Sequence, residues 1–312
     1  MFSKIYKIVI LCFFAFHQNV LYAKNFDEKN INNYFSALIS LDTNKNFESL
    51  KYFNLSKKLK ESHPSYIKKY LFSLVLNKRV NKAINEARTT KDKKFIDFFE
   101  AQLLLLVDSL KKNNLEKSLY FAKKLKEYDE EGTYEFIVSN FLEDYVYLFN
   151  NKKVKSNVEE NFGKLSLINI TLQNCYLGNL RTENFFENLI TYNDDLNSRY
   201  LFFYANYLIN KNDYLKAKNI FKNVDPIDST LLIAQSKKWL DDGNFNNFKS
   251  IFSCKNSNDL LAEFFFIISN LYSAEDEIEK SIFYFNLSNY LNPKFKLNLV
   301  LLADNYFQIG EF

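Results

Sequence analysis

A three-residue pattern returns along this chain at intervals close to 34 residues, and that period leaves few folds open. Tyr214, Ala217 and Phe221 follow the polar turn Asn212-Asp213, and their i, i+3, i+7 spacing puts them on one face of a helix. Val80, Ala83 and Ala87 repeat the device, as do Leu115, Ser118 and Ala122, then Phe245, Phe248 and Phe252, and Ile278, Ser281 and Phe285. Phe47, Ser49 and Phe53 form a version one residue tighter. The central residues Ser49, Ala83, Ser118, Ala217, Phe248 and Ser281 are separated by 34, 35, 99, 31 and 33. The interval of 99 is three periods of 33, so two more divergent units are expected inside residues 131–197. Twelve residues before each centre lies a position on a preceding helix: Ala37, Leu71, Leu106, Ala205, Ser236 and Ser269. Most of these are small, which lets the two helices of an antiparallel hairpin approach closely.

Composition closes the main alternatives. The 312 residues contain 5 Gly and 3 Pro, too few for an all-β fold, which needs turn residues about every 8–12 positions. The glycines never cluster as a dinucleotide or phosphate loop requires. At 47% hydrophobic, the chain can bury a sizeable core, and disorder is excluded. The expectation is an all-α chain. Its 33 Phe and 21 Tyr come with an excess of Lys, Asn and Ile that looks like the bias of an AT-rich genome, so the aromatics are assigned first to packing.

With this register in hand, the chain resembles the tetratricopeptide repeat family, whose 34-residue helix–turn–helix units have small residues at the eighth, twentieth and twenty-seventh positions. The best match starts at Ala262 and carries Ser269, Tyr272, Ser281, Phe285, Ser288 and Pro293 at the family's marked positions. The unit from Ser198 carries Ala205, Ala217 and Phe221; the unit from Ser229 is poorer, although Trp239 and Phe252 fit. The resemblance covers roughly residues 30–312, and the chain is most similar to exported repeat proteins of alphaproteobacteria. It implies a right-handed α-solenoid of about eight repeats over residues 24–312, plus an incomplete last one from Lys296. The residues assigned to repeat packing are Ala37, Ala83, Ser118, Ala205, Ala217, Phe221, Phe252, Ser269, Tyr272, Ser281, Phe285 and Pro293. The resemblance also implies a concave groove lined by the first helices, able to take a peptide or a partner helix. The incomplete last unit reads as a fragment of a longer protein or as an end covered by another chain.

The N-terminus has the three-part layout of a secretory signal peptide. Lys4 and Lys7 precede the apolar run Ile8–Phe16, and Leu21 and Ala23 stand before a cleavage point at Lys24. Nine apolar residues are too few to span a bilayer, which takes about 20, so cleavage after residue 23 is expected to leave no transmembrane helix. Export, to the periplasm or the outer membrane, would permit a disulfide. Cys175 and Cys254 are the only pair in the remaining chain. They fall in non-adjacent units, and units of a solenoid touch only their neighbours. They are therefore expected to be separate buried thiols.

Charge is segregated. Residues 51–126 hold 19 Lys or Arg against 7 Asp or Glu, a net of +12, whereas residues 127–312 carry −9. The basic part is read as a solvated face or as one that meets an anionic envelope surface; export disfavours nucleic acid. Chemistry is sparse. His63 precedes Pro64 at a junction between units, and no CxxC, HExxH or GxSxG occurs. No catalytic residue, metal ligand or cofactor is assigned. The function expected is a non-enzymatic exported scaffold for protein–protein interaction. The alternative is a helical accessory region of a glycan-active envelope enzyme whose catalytic domain lies beyond residue 312.

Overall fold

The computed structural model describes residues 28–128, 130–155, 162–191 and 195–310. The leader expected over residues 1–23, with Cys12 and His17, lies outside them. The described residues form sixteen α-helices and three short 3-10 turns, with no strand. The first three hairpins are α1 (Glu28–Asp42) with α2 (Asn46–Leu55), α3 (Pro64–Leu76) with α4 (Val80–Thr89), and α5 (Phe99–Lys111) with α6 (Leu115–Leu125). The middle holds α7 (Tyr134–Asn151), α8 (Lys164–Leu177) and α9 (Thr182–Ile190). Three hairpins follow: α10 (Asp195–Asn210) with α11 (Tyr214–Ile220), α12 (Leu231–Asp241) with α13 (Phe245–Ile251), and α14 (Ser257–Ala274) with α15 (Ile278–Leu291). The last helix is α16 (Leu299–Gln308).

The hairpin turns are chemically the same turn. Asn44, Lys78, Asn113, Gly178, Asn212, Gly243 and Asp276 all have positive φ. In each case the next residue's N–H donates to the carbonyl five residues back, from Lys45 N to Ser40 O (2.8 Å) through to Glu277 N to Tyr272 O (3.0 Å). This is the Schellman closure, which satisfies carbonyls left over at a helix C-terminus. The next helix then starts at once, often with a side-chain cap: Asn114 accepts from Lys117 N, and Asp213 from Lys216 N. The turn residues are spaced 34, 35, 65, 34, 31 and 33 apart, so the period read from side chains is also a period of the backbone.

Gly178 has the least freedom to change. Its φ is +72°, and a Cβ there would lie 2.8 Å from Lys255 Nζ, which donates to Tyr176 O at the end of α8. Gly178→Ala is therefore expected to lose roughly 1–2 kcal/mol in urea unfolding, from left-handed strain plus a displaced C-terminal cation. Gly243→Ala, with open space around its Cβ, should lose only the backbone part, about 1 kcal/mol.

The chain departs from an open stack in two ways. Over 131–190 the described residues hold three helices, α7, α8 and α9, where two complete hairpins were expected by residue 197. The second departure is larger: α14 and α15 fold back against α3, α4, α5, α7 and α8. Phe283 stacks on Phe72 at 5.2 Å, Phe264 meets Phe141 at 5.7 Å, and Tyr134 meets Tyr272 edge-on at 4.7 Å. Asn286, buried, donates to Val75 O at 2.9 Å, and Lys111 Nζ donates to Tyr290 O at 2.6 Å. Leu260, Leu261, Phe264, Phe265 and Ile268 on α14 are all fully buried, so apolar residues on more than one side of this helix are enclosed.

This closure corrects the expectation for the cysteines. Cys175, in the last turn of α8, and Cys254, in the loop before α14, form a disulfide with Cα atoms 5.6 Å apart. Neighbour-only contact held them apart in the sequence register. The return of α14 to α8 brings the two units together.

Candidate functional site

The positions assigned from the sequence lie where hairpins close. All twelve register positions, Ala37, Leu71, Leu106, Ala205, Ser236 and Ser269 with their partners Ser49, Ala83, Ser118, Ala217, Phe248 and Ser281, are 0% exposed. The twelve-residue spacing has a direct physical content. Ser49 Oγ donates to Ala37 O at 2.9 Å, Ser269 Oγ to Ser281 O at 2.7 Å, and Ser281 Oγ to Ser269 O at 2.8 Å. A hydroxyl reaches a facing main-chain carbonyl only when two helix backbones lie close together. Phe221, Phe252, Tyr272 and Phe285 are buried as well, but Pro293 is exposed in the turn after α15, where it ends a helix and packs against little.

Where the chain folds back, α15 lies against α3, and α14 lies against α5 and α7. On the other side of α14, Glu263 has no exposed side-chain surface and pairs with Arg199 of α10, Nε to Oε1 at 2.8 Å and Nη2 to Oε2 at 2.5 Å. Arg199 also donates to Asn298 Oδ1 at 2.9 Å and lies 4.0 Å from the Phe266 ring centre.

Two clefts remain. One, of about 460 Å³, lies between α7 and α8 and pairs Asp144 with Lys155 at 3.6 Å, so its charge is balanced. The other, of about 410 Å³, lies between the α4–α5 connection and α6. Its wall holds four cations, Arg88, Lys93, Lys94 and Lys124, against one carboxylate, Asp97. Ile96 and Leu105 are buried beneath it, and Tyr120 is 58% exposed beside it. Elsewhere in the basic region Glu86 takes Lys57 and Lys60, while Asp108, next to the cleft, takes Lys112 and the cleft's own Arg88. His63 caps α3 ahead of Pro64, its ring 5.1 Å from Tyr34.

Buried carboxyl groups give the fold a pH dependence. Burial pushes Glu279, in the first turn of α15, up to about 7; Asp42 and Glu277 add to the rise and Lys69 opposes it. Its Oε1 has no hydrogen-bond partner. Burial likewise pushes Asp259 up to about 6, against the pull of the Ser253 N–H and Lys294. In both cases the folded protein keeps a proton that the unfolded chain has released. Stability is therefore expected to fall as pH rises from about 4.5 to 7. Glu279→Gln should flatten that slope in thermal melts and gain roughly 1 kcal/mol at pH 8; an unchanged slope would contradict the assignment.

No group of His, Cys, Asp or Glu among the described residues is arranged to hold a metal ion, and no described helix is long and apolar enough to cross a membrane. The basic cleft was not singled out in the sequence. Lys93, Lys94 and Lys124 were visible as basic clusters, but Tyr120, which neighbours Phe121 in α6, carried no signal separating it from packing residues. No family model, curated protein or solved structure matches the chain.

Proposed function

We propose that this chain is a non-enzymatic scaffold, a right-handed solenoid of tetratricopeptide-like hairpins exported to the cell envelope, where it holds protein partners. The observation that carries the reading is the recurrence of one Schellman turn at intervals near 34 residues, with a fully buried position seven residues before it in all seven of its occurrences. Hairpins repeated in this way bury their apolar faces on one another and serve as binding frameworks. Export is supported by the basic, apolar and small-residue layout of residues 1–23 and by the Cys175–Cys254 bond, since disulfides persist in oxidising compartments. With α3, α5 and α7 in contact with α14 and α15, the partner is assigned to the first hairpin, where Phe35, Ile39 and Phe47 are 57%, 64% and 68% exposed.

Affinity capture from periplasmic extract with the chain from Lys24 onward is expected to recover a protein partner that Phe35→Ser/Ile39→Ser loses. Equal recovery by both, or nothing above a charge-matched helical control, overturns the partner assignment. Export is read separately by fractionation. The chain should begin at Lys24, lie outside the cytoplasm and resist maleimide until reduced. A full-length cytoplasmic chain with reactive thiols overturns it.

A further inference from the structure

We infer that the cleft between the α4–α5 connection and α6 is a binding site for a phosphate ester carrying an apolar or aromatic group. The inference stands on the cleft alone and goes beyond the scaffold reading. Its volume of about 410 Å³ falls in the range of small-ligand pockets and is too small for a protein surface.

The cations come from two directions. Arg88 ends α4, Lys93 and Lys94 lie in the 3-10 turn Lys93–Ile96, and Lys124 reaches in from α6. Lys94 has no ion pair among the described residues, and Lys93 Nζ is held only by carbonyls, Thr90 O at 2.9 Å and Arg88 O at 3.3 Å. Arg88 shares Asp108 with Lys112, and Lys124 meets Glu127 at 2.8 Å on the surface. The Lys124 pair is open to solvent and screened by it, so a stronger anion can recruit that cation, whereas Asp108 is buried and fixes Arg88 in the cleft wall. The one acid in the wall, Asp97, already accepts the Tyr128 hydroxyl.

The donor set favours phosphate over carboxylate. Three ammonium groups and a guanidinium in one wall suit an anion with several charged oxygens, and Arg88 keeps N–H groups beyond the one that Asp108 holds. Apart from Gln102, whose amide donates to Ile96 O at 2.7 Å, the remainder of the cleft is apolar. Ile96 and Leu105 form the floor, and Tyr120, its ring 5.1 Å from that of Phe121, leaves more than half its surface open. An aromatic wall beside a cationic rim fits a ligand with a charged end and a greasy one.

The ester has two sources, a phospholipid headgroup or a soluble phosphomonoester, and the test separates them. Flotation with phosphatidylglycerol and phosphatidylcholine vesicles reads the first, and calorimetric titration with phenyl phosphate reads the second, both on the full chain with its disulfide intact. At least one anionic probe should bind, and phosphatidylcholine should not. Lys93→Glu/Lys94→Glu should weaken that binding about tenfold or more, and Lys94→Glu alone, which leaves the Lys93 contacts to α4 in place, by a smaller factor. Tyr120→Ala keeps every charge and should weaken binding roughly fivefold. Lys238→Glu, an exposed change of equal charge on α12, should stay within about twofold. Vesicle binding that excess phenyl phosphate competes away assigns both sources to this cleft. Failure of both probes at low salt, an equal loss from Lys238→Glu, or indifference to Tyr120→Ala overturns the inference.

Discussion

Reducing the Cys175–Cys254 disulfide should lower the unfolding free energy by about 3–4.5 kcal/mol without dissolving the helices. The bond closes a loop between residues 79 apart. A crosslink of that span removes much of the freedom of the unfolded chain, and chain-entropy arithmetic puts the upper end near 4.5 kcal/mol. The folded state keeps its other ties between the same units. Lys255 still donates to Tyr176 O, and α14 still lies against α8. Urea unfolding with and without reductant, set beside Cys175→Ser/Cys254→Ser, reads the loss directly. The double variant should match the reduced protein, and helical circular dichroism should be unchanged before the transition. A midpoint indifferent to reductant would mean that the thiols are not joined.

The same bond shows where the sequence was legible and where it was not. Hairpin closure is local, because it depends on residues twelve apart and a turn between them. Small side chains at Ala37, Ala205 and Ser269, with Ser49, Ala217 and Ser281 opposite, mark three of the crossings in the sequence, and all are buried. The turns were harder to see, since Lys78 and Asp276 adopt the left-handed conformation that Gly178 and Gly243 adopt more readily. Closure between distant hairpins is not local, and a periodic reading assumes that every unit meets only the next one. One signal of closure was present. The unbroken run Phe264, Phe265 and Phe266, with Leu260 and Leu261 one turn before it, puts apolar residues on several sides of α14, which favours its enclosure. The disulfide and the stacked Phe72 and Phe283 both go with the return of α14 and α15. The basic cleft escaped for the complementary reason. Its residues come from three elements, and neither Lys94 nor Tyr120 is distinguishable in one dimension from a solvated lysine or a packing ring.

Arg199→Met and Glu263→Leu should each destabilise the protein by about 3–5 kcal/mol when made alone, and far less when made together. Separated by 64 positions, the two residues look like ordinary surface charges in the sequence, yet Glu263 has no exposed side-chain surface. Burial pushes its carboxyl above the usual range, and Arg199 pulls it back. Either single change leaves a buried charge without its counter-ion among Phe203, Phe266 and Phe295. The double change leaves an apolar site of similar volume, for which replacements of buried pairs are often neutral or stabilising. pH separates this account from simple loss of packing. In Arg199→Met the opposing pull is gone, so the folded-state pKa of Glu263 rises further above its unfolded value. Stability from the protonated carboxyl is then full at low pH and lost as pH rises through that value. The defect of Arg199→Met should accordingly be largest at pH 8 and shrink towards pH 5, while Glu263→Leu, with no carboxyl to titrate, should lack that relief. Equal defects at both pH values in Arg199→Met would assign the loss to packing of the guanidinium on Phe266 and not to the charge left behind.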